Sequence, residues 1–284
     1  VLGHLAALRG DPTVRLAPGA FTRATLTPDG PGVLRATWDA DHTGVAVRTT
    51  GDGAGWLLER APRLLGLEDD PAGFAPASGP LRELWRRHPG ARVGATGTVW
   101  HDLAWTVVQQ RVTRQDAAAQ WARLVTAFGD PAPGAPELRL PPAPETLARL
   151  SYVDLHRVGL ERRRAEHLVG AARVAARLAA LADASPDTAL PALSSLRGVG
   201  PWTAGCLRAW TWGDPDTVIP GDDGIPSMVA WVLAGEARAD DARMLALLEP
   251  HRPHRYRVLT LVVAGGQRPP RRAPRGGRHD IRRH

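Results

Sequence analysis

SLRGVGPWTAG, residues Ser195 to Gly205, sets two glycines one residue apart in front of a proline, a tryptophan and a threonine. A helix expected from about Thr188 to Leu196 runs into Arg197-Gly198-Val199-Gly200. Pro201, a residue favoured in a first helical turn, opens a second helix. The pattern is a helix-hairpin-helix. Its glycines let the backbone bend sharply and let a bulky anion approach, while the second helix offers free N–H groups and the positive end of its dipole. A phosphate is the natural ligand. The competing reading of the hexapeptide alone is an ordinary interhelical turn with Val199 plugged into the core.

Downstream, the helix PWTAGCLRAWTW leads into the loop GDPDTVIPGDDGIP and then into the apolar helix SMVAWVLAG. Asp222 and Asp223 therefore stand at a helix N-terminus within one hairpin's reach of the phosphate site. Taken alone, an aspartate there also reads as an N-cap.

Upstream, residues 1–80 are expected to form a β-rich N-terminal domain after a short amphipathic start. AFTRATL, GVLRATWD and GVAVRTTG alternate apolar and polar residues, and PDGPG is a hairpin turn signal. Gly55 to Leu67 has helical spacing and should pack on that sheet. Residues 81–267 read as a helical domain. Its long pattern from Thr98 to Phe128 is interrupted near Arg111 to Thr113, and GDPAPGAPELRLPPAPE reads as a Pro-rich loop. Residues 268–284 form an Arg- and Pro-rich tail, suited either to touching a phosphate backbone or simply to solvating the terminus. The fold class expected is α+β: a small antiparallel sheet followed by a mostly helical domain.

Every one of the 36 basic residues is arginine, and the net charge is +7. Arginine suits phosphate recognition, so a polyanionic partner fits, although GC-rich codon usage also explains the composition. Without lysine there is no Schiff-base amine and no P-loop lysine. Cys206 is the single cysteine, which excludes an intramolecular disulfide, a four-cysteine zinc site and a cysteine-held iron–sulfur cluster. No apolar run approaches the ~20 residues that span a bilayer, and the opening VLGHLAALRGD lacks the parts of a signal peptide. A cytoplasmic, nucleoid-associated protein is expected, with residues missing before Val1.

LRGVGPWTAG followed by an Asp just before a helix resembles the helix-hairpin-helix DNA glycosylase superfamily, specifically its alkyladenine branch. LGHLAAL, VVQQRVT, GLERRRAEHL and LLEPHRPHRYRV fall in that branch's order, so the likeness covers most of the chain. The resemblance implies two domains around a cleft, double-stranded DNA as partner, a monomer, no cofactor, and no metal held by side chains, with a monovalent cation on hairpin carbonyls. In that family the catalytic Asp lies three positions before an apolar residue of the next helix, a register that Ile225 sets and that selects Asp222. Gly198, Val199 and Gly200 would then hold a DNA phosphate through amides, with Thr203 close by. Gln110 matches a position near the extruded base. Arg111 stands where an apolar wedge is expected, and a plain phosphate contact is its other reading.

The chemistry expected is extrusion of a base and hydrolysis of its C1′–N bond, with Asp222 stabilising the oxocarbenium-like transition state. Relatives that cleave the strand use a lysine, so a monofunctional enzyme leaving an abasic site is expected. Alkylated purines such as 3-methyladenine are the first substrate expected, stacked on Trp100, Trp105 and Trp202, with Trp100 and Trp105 equally readable as core. His101 and Asp102 read as surface residues or as contacts to a base edge. Asp223, Gly224, Cys206 and Val263 are smaller than the aromatics the family carries there, which leaves open a bulkier base, such as a hypermodified cytosine of phage DNA. A non-catalytic helix-hairpin-helix DNA-binding module and a helical scaffold without DNA affinity are the remaining alternatives.

Overall fold

The computed structural model describes residues 10–39, 41, 44–76 and 79–270. The amphipathic start and nearly all of the Arg-rich tail lie outside the described residues. Four strands, β1 (Val14–Ala17), β2 (Ala20–Thr27), β3 (Gly30–Trp38) and β4 (Val45–Thr50), pair antiparallel in chain order. Phe21 faces Ala36 and Arg23 faces Leu34 across β2 and β3, so residues 21, 23 and 25 share one face with 34 and 36. That face meets α1 (Ala54–Leu64), where Phe21, Leu34, Trp56, Leu57 and Leu64 are buried in one cluster. Each such side chain contributes roughly 1.5–3 kcal/mol by leaving water.

The opposite face is covered too. Residues read as a Pro-rich loop form a hairpin, β5 (Pro131–Ala132) and β6 (Ala135–Arg139), turning at Gly134 with φ +71°. Ala132, Ala135, Leu138 and Leu140 bury against Ala24 and Val33 of the sheet, and the Thr50 hydroxyl donates to the Pro133 carbonyl at 2.7 Å. Tertiary burial of a short apolar run thus overrides local proline content.

Helices follow. α2 (Gly79–Arg87) precedes α3 (Val99–Gln109) and α4 (Arg114–Phe128), and the expected break lies between the last two. Arg111 sits there at φ +56°, the one non-glycine residue in the left-handed region among those described. Thr113 restarts the chain as an N-cap, accepting from the Asp116 amide at 3.1 Å. Next come α5 (Pro144–Arg149), α6 (Tyr152–Arg157), α7 (Arg162–Ala172), α8 (Ala175–Ala179) and α9 (Pro186–Ser194). Then α10 (Pro201–Thr211), α11 (Ile225–Ala234), α12 (Asp241–Leu248) and α13 (Arg255–Gly265) complete the chain.

Two buried clusters organise these elements. The first unites the sheet with α1 and the stretch from α3 to α9, and the second unites α2 with α11, α12 and α13. α10 belongs to both: Leu207 is in the first cluster, Cys206 and Ala209 in the second. A cleft opens beside that bridging helix. None of the helices described is long and apolar enough to cross a membrane.

Candidate functional site

α9 and α10 enclose the turn Arg197 to Gly200. Val199 is buried, and its N–H already donates to the Leu196 carbonyl at 3.1 Å. Pro201 is the first residue of α10, as the sequence required. Gly198 has φ +93°, and a Cβ there would overlap the imidazole of His167 on α7, so glycine is demanded by conformation and by space. Of the three expected amide donors, Val199 is therefore unavailable. The Gly198 and Gly200 amides donate to nothing among the described residues.

Gln110 lines the cleft and is tied down within it. Its Nε2 donates to the Gly198 carbonyl at 2.8 Å and to Thr203 Oγ1 at 3.1 Å, while Oε1 faces His167 Nδ1 at 3.4 Å. The side-chain amide ties the α3–α4 break to the hairpin. Thr203 is buried at the cleft wall and receives that bond, so it supports the turn from beneath. His167, which sequence reasoning missed, forms the floor under Gly198. Burial, then Arg163 and Arg197, lower its pKa below the usual imidazole value. Arg111 is exposed at the cleft beside Gln110.

Asp222 is half-buried before α11. Its Oδ1 accepts from the Gly224 and Ile225 amides at 2.9 and 3.0 Å, and its Oδ2 accepts from the Trp202 indole at 3.2 Å. The N-cap of α11 is Gly224, so Asp222 does not cap that helix itself: one oxygen closes an Asx turn onto its start and the other faces the hairpin helix. Asp223 is exposed at the rim. Cys206 is buried one turn after Trp202, and burial with the nearby Asp222 pushes its thiol pKa well up. The thiol is therefore neutral.

These residues line a cleft of about 2390 Å³ together with Trp105, Trp210, Tyr256 and Val263. Trp100 does not line it. Its indole lies in the first core cluster and donates to the Pro142 carbonyl at 3.0 Å, which removes it from the expected base pocket. Trp210 and Tyr256, which the sequence did not signal, line the cleft, the Trp210 indole donating to the Tyr256 hydroxyl at 3.1 Å. Burial, with Cys206 adding to it, raises the Tyr256 pKa.

His101 and Asp102 are also corrected: both are buried, not on the surface. Asp102 Oδ1 accepts from Arg23 Nη2 at 3.2 Å, and Oδ2 accepts from Thr211 at 2.8 Å and from Thr96. One carboxylate thereby joins the sheet, the entry to α3 and the end of α10. His101 Nδ1 meets Thr25 Oγ1 at 2.9 Å and its ring stacks on Trp121. Burial, then Arg23, hold its pKa well below the usual imidazole value.

No family model matches the chain. Over 236 residues, 79% of the chain, it is 29% identical to the "Probable bifunctional transcriptional activator/DNA repair enzyme AlkA" of Mycobacterium tuberculosis. It spans 46% of that relative's length. It is 26% identical over 227 residues to DNA-3-methyladenine glycosylase 2 of Escherichia coli, covering 78% of this chain and 79% of that protein. Its fold is similar to that of the 3-methyladenine DNA glycosylase of Archaeoglobus fulgidus, with a TM-score of 0.75, 22% identity and 92% of each chain covered.

Proposed function

We propose that this chain belongs to the helix-hairpin-helix DNA glycosylase superfamily, on its alkyladenine branch, and from that premise that it excises a damaged or modified base from double-stranded DNA and leaves an abasic site. The observation that carries this reading is the bond between Trp202 and Asp222. It joins the hairpin helix directly to the carboxylate, which supports a reading in which the turn holds a phosphate and Asp222 faces a sugar of the same strand.

In the proposed reaction, the Gly198 and Gly200 amides and the first turn of α10 grip a backbone phosphate without reading sequence. Arg111 fills the gap in the stack left by the extruded nucleotide. Positive charge develops on the sugar as the C1′–N bond lengthens, and the Asp222 carboxylate opposes it while water adds at C1′. The base leaves with the bonding pair. The Arg197 and Val199 carbonyls accept no hydrogen bond among the described residues, so the turn fits a monovalent cation that would help hold the phosphate.

With no lysine in the sequence, strand cleavage through a lysine Schiff base has no nucleophile, which supports monofunctional hydrolysis. Trp105, Trp202, Trp210 and Tyr256 supply aromatic faces to the cleft, which favours a cationic alkylated purine such as 3-methyladenine. Cys206 and Val263 on the same cleft favour a second reading, a bulkier modified base. Released base is measured from duplexes carrying methylated purines, deaminated bases or modified cytosines. Asp222→Asn should all but abolish release and retain DNA binding; normal release by that variant removes Asp222 from the catalytic role, whereas DNA binding with no release by the wild-type protein returns the chain to a non-catalytic DNA-binding module.

A further inference from the structure

Beside the aromatic wall of the cleft lies a small, partly open cavity of about 10 Å³, room for one oxygen-sized group. Trp105 and Trp210 belong to both spaces. The cavity's other walls include Arg23, His101, Asp102 and Asp11.

Arg23 is 3% exposed, on the face of β2 that points toward α3. Its Nη2 donates to Thr98 at 2.9 Å and to Asp102 at 3.2 Å, yet Nε and Nη1 are buried with no hydrogen-bond partner. His101 is held through Nδ1 by Thr25 at 2.9 Å. Buried donors left unmade are costly, and native proteins keep few of them.

One face of α10 lines the cleft and ends at the residue shared with this cavity. Trp202, Cys206 and Trp210 recur every four residues, a stripe about 12 Å long at 1.5 Å rise per residue. The stripe begins at Asp222, bonded to Trp202, and ends at Trp210, whose indole is fixed by Tyr256. A base whose sugar stands against Asp222 does not extend to the far end, whereas a substituent on its outer edge does. The ligand's chemistry follows from the walls. A neutral hydroxyl both accepts from Arg23 and donates to a carboxylate. An anionic group would face Asp11 and Asp102, and an apolar one would leave Arg23 unpartnered.

We propose that the Arg23 cavity is the far end of the base site and takes the terminal hydroxyl of a neutral substituent carried on the outer edge of the extruded base. The inference rests on the glycosylase reading and narrows its substrate class.

Three duplexes test it, carrying respectively a cytosine with a hydroxybutyl chain at C5, a cytosine with a pentyl chain of matching length, and 3-methyladenine. Single-turnover release of the hydroxybutyl base should exceed that of the pentyl base by about tenfold or more. Arg23→Met should bring the ratio near one. Should that variant fail to fold, the comparison of the two chains on the wild-type protein still decides. Equal release of both, or a ratio that Arg23→Met leaves intact, overturns the proposal. Release of 3-methyladenine with neither chain-bearing base released overturns it while the glycosylase reading stands; release from none of the three overturns both.

Discussion

Asp222→Asn separates charge from scaffolding in one substitution. Asparagine closes an Asx turn as aspartate does, so its side-chain oxygen can keep the bonds now made to the Gly224 and Ile225 amides at 2.9 and 3.0 Å. The NH₂ group then meets the Trp202 indole N–H, two donors face to face, and that bond is lost. Losing one bond to a half-exposed charged acceptor costs about 1–2 kcal/mol, a fall of a few degrees in Tm. The effect on chemistry is larger. A carboxylate about 4 Å from a unit positive charge, at an effective dielectric of about 20, contributes about 4 kcal/mol, close to a thousandfold in rate. Single-turnover base release should fall by about that factor while anisotropy reports unchanged affinity for abasic DNA. A loss below about tenfold, or an equal loss of DNA binding, would refute the role given to this carboxylate.

Four further outcomes are expected. Gly198→Ala should destabilise the protein by roughly 2–4 kcal/mol in urea unfolding, combining left-handed strain with overlap on the His167 ring; a cost under about 1 kcal/mol contradicts that packing. Gln110→Ala should weaken DNA binding to a similar extent for every sequence tested, since the side chain holds the hairpin, whereas a sequence-dependent loss would mean that it reads a base. Arg111→Gly should hold or raise Tm, because a residue at φ +56° gives up roughly 1 kcal/mol of strain, yet slow release from paired duplex more than from a bulge. Stability should decline as pH falls below about 6.5: His101 takes up its proton more readily unfolded than folded, so protonation favours unfolding, by up to ~1.4 kcal/mol per pH unit. A His101→Gln profile as steep as wild type between pH 6.5 and 5 would assign the effect to other groups.

What the sequence made legible was local. Glycines 198 and 200 with Pro201, and the break before Thr113, are punctuation whose meaning depends on backbone preferences alone, and both stand where expected. Sidedness was not legible on α3, because nearly every residue of that helix is buried and no polar stripe marks an outer face. Trp100 and Trp105 point about 140° apart on it, one into the core and one to the cleft. On β2 both sheet faces are covered, so the residues that look solvent-facing, Arg23 and Thr25, are the ones aimed at α3. Gln110 and His167 are 57 positions apart, and nothing in a single sequence pairs them.

The Gln110 amide has one more consequence. Because it ties the break carrying Arg111 to the turn carrying Gly198, neither loop can shift without the other. In the proposed reading the gripped phosphate and the inserted arginine are two jaws of a rigid gauge. Each step along a duplex would test the base at one constant offset from the phosphate in hand, and a misplaced step is corrected by letting go.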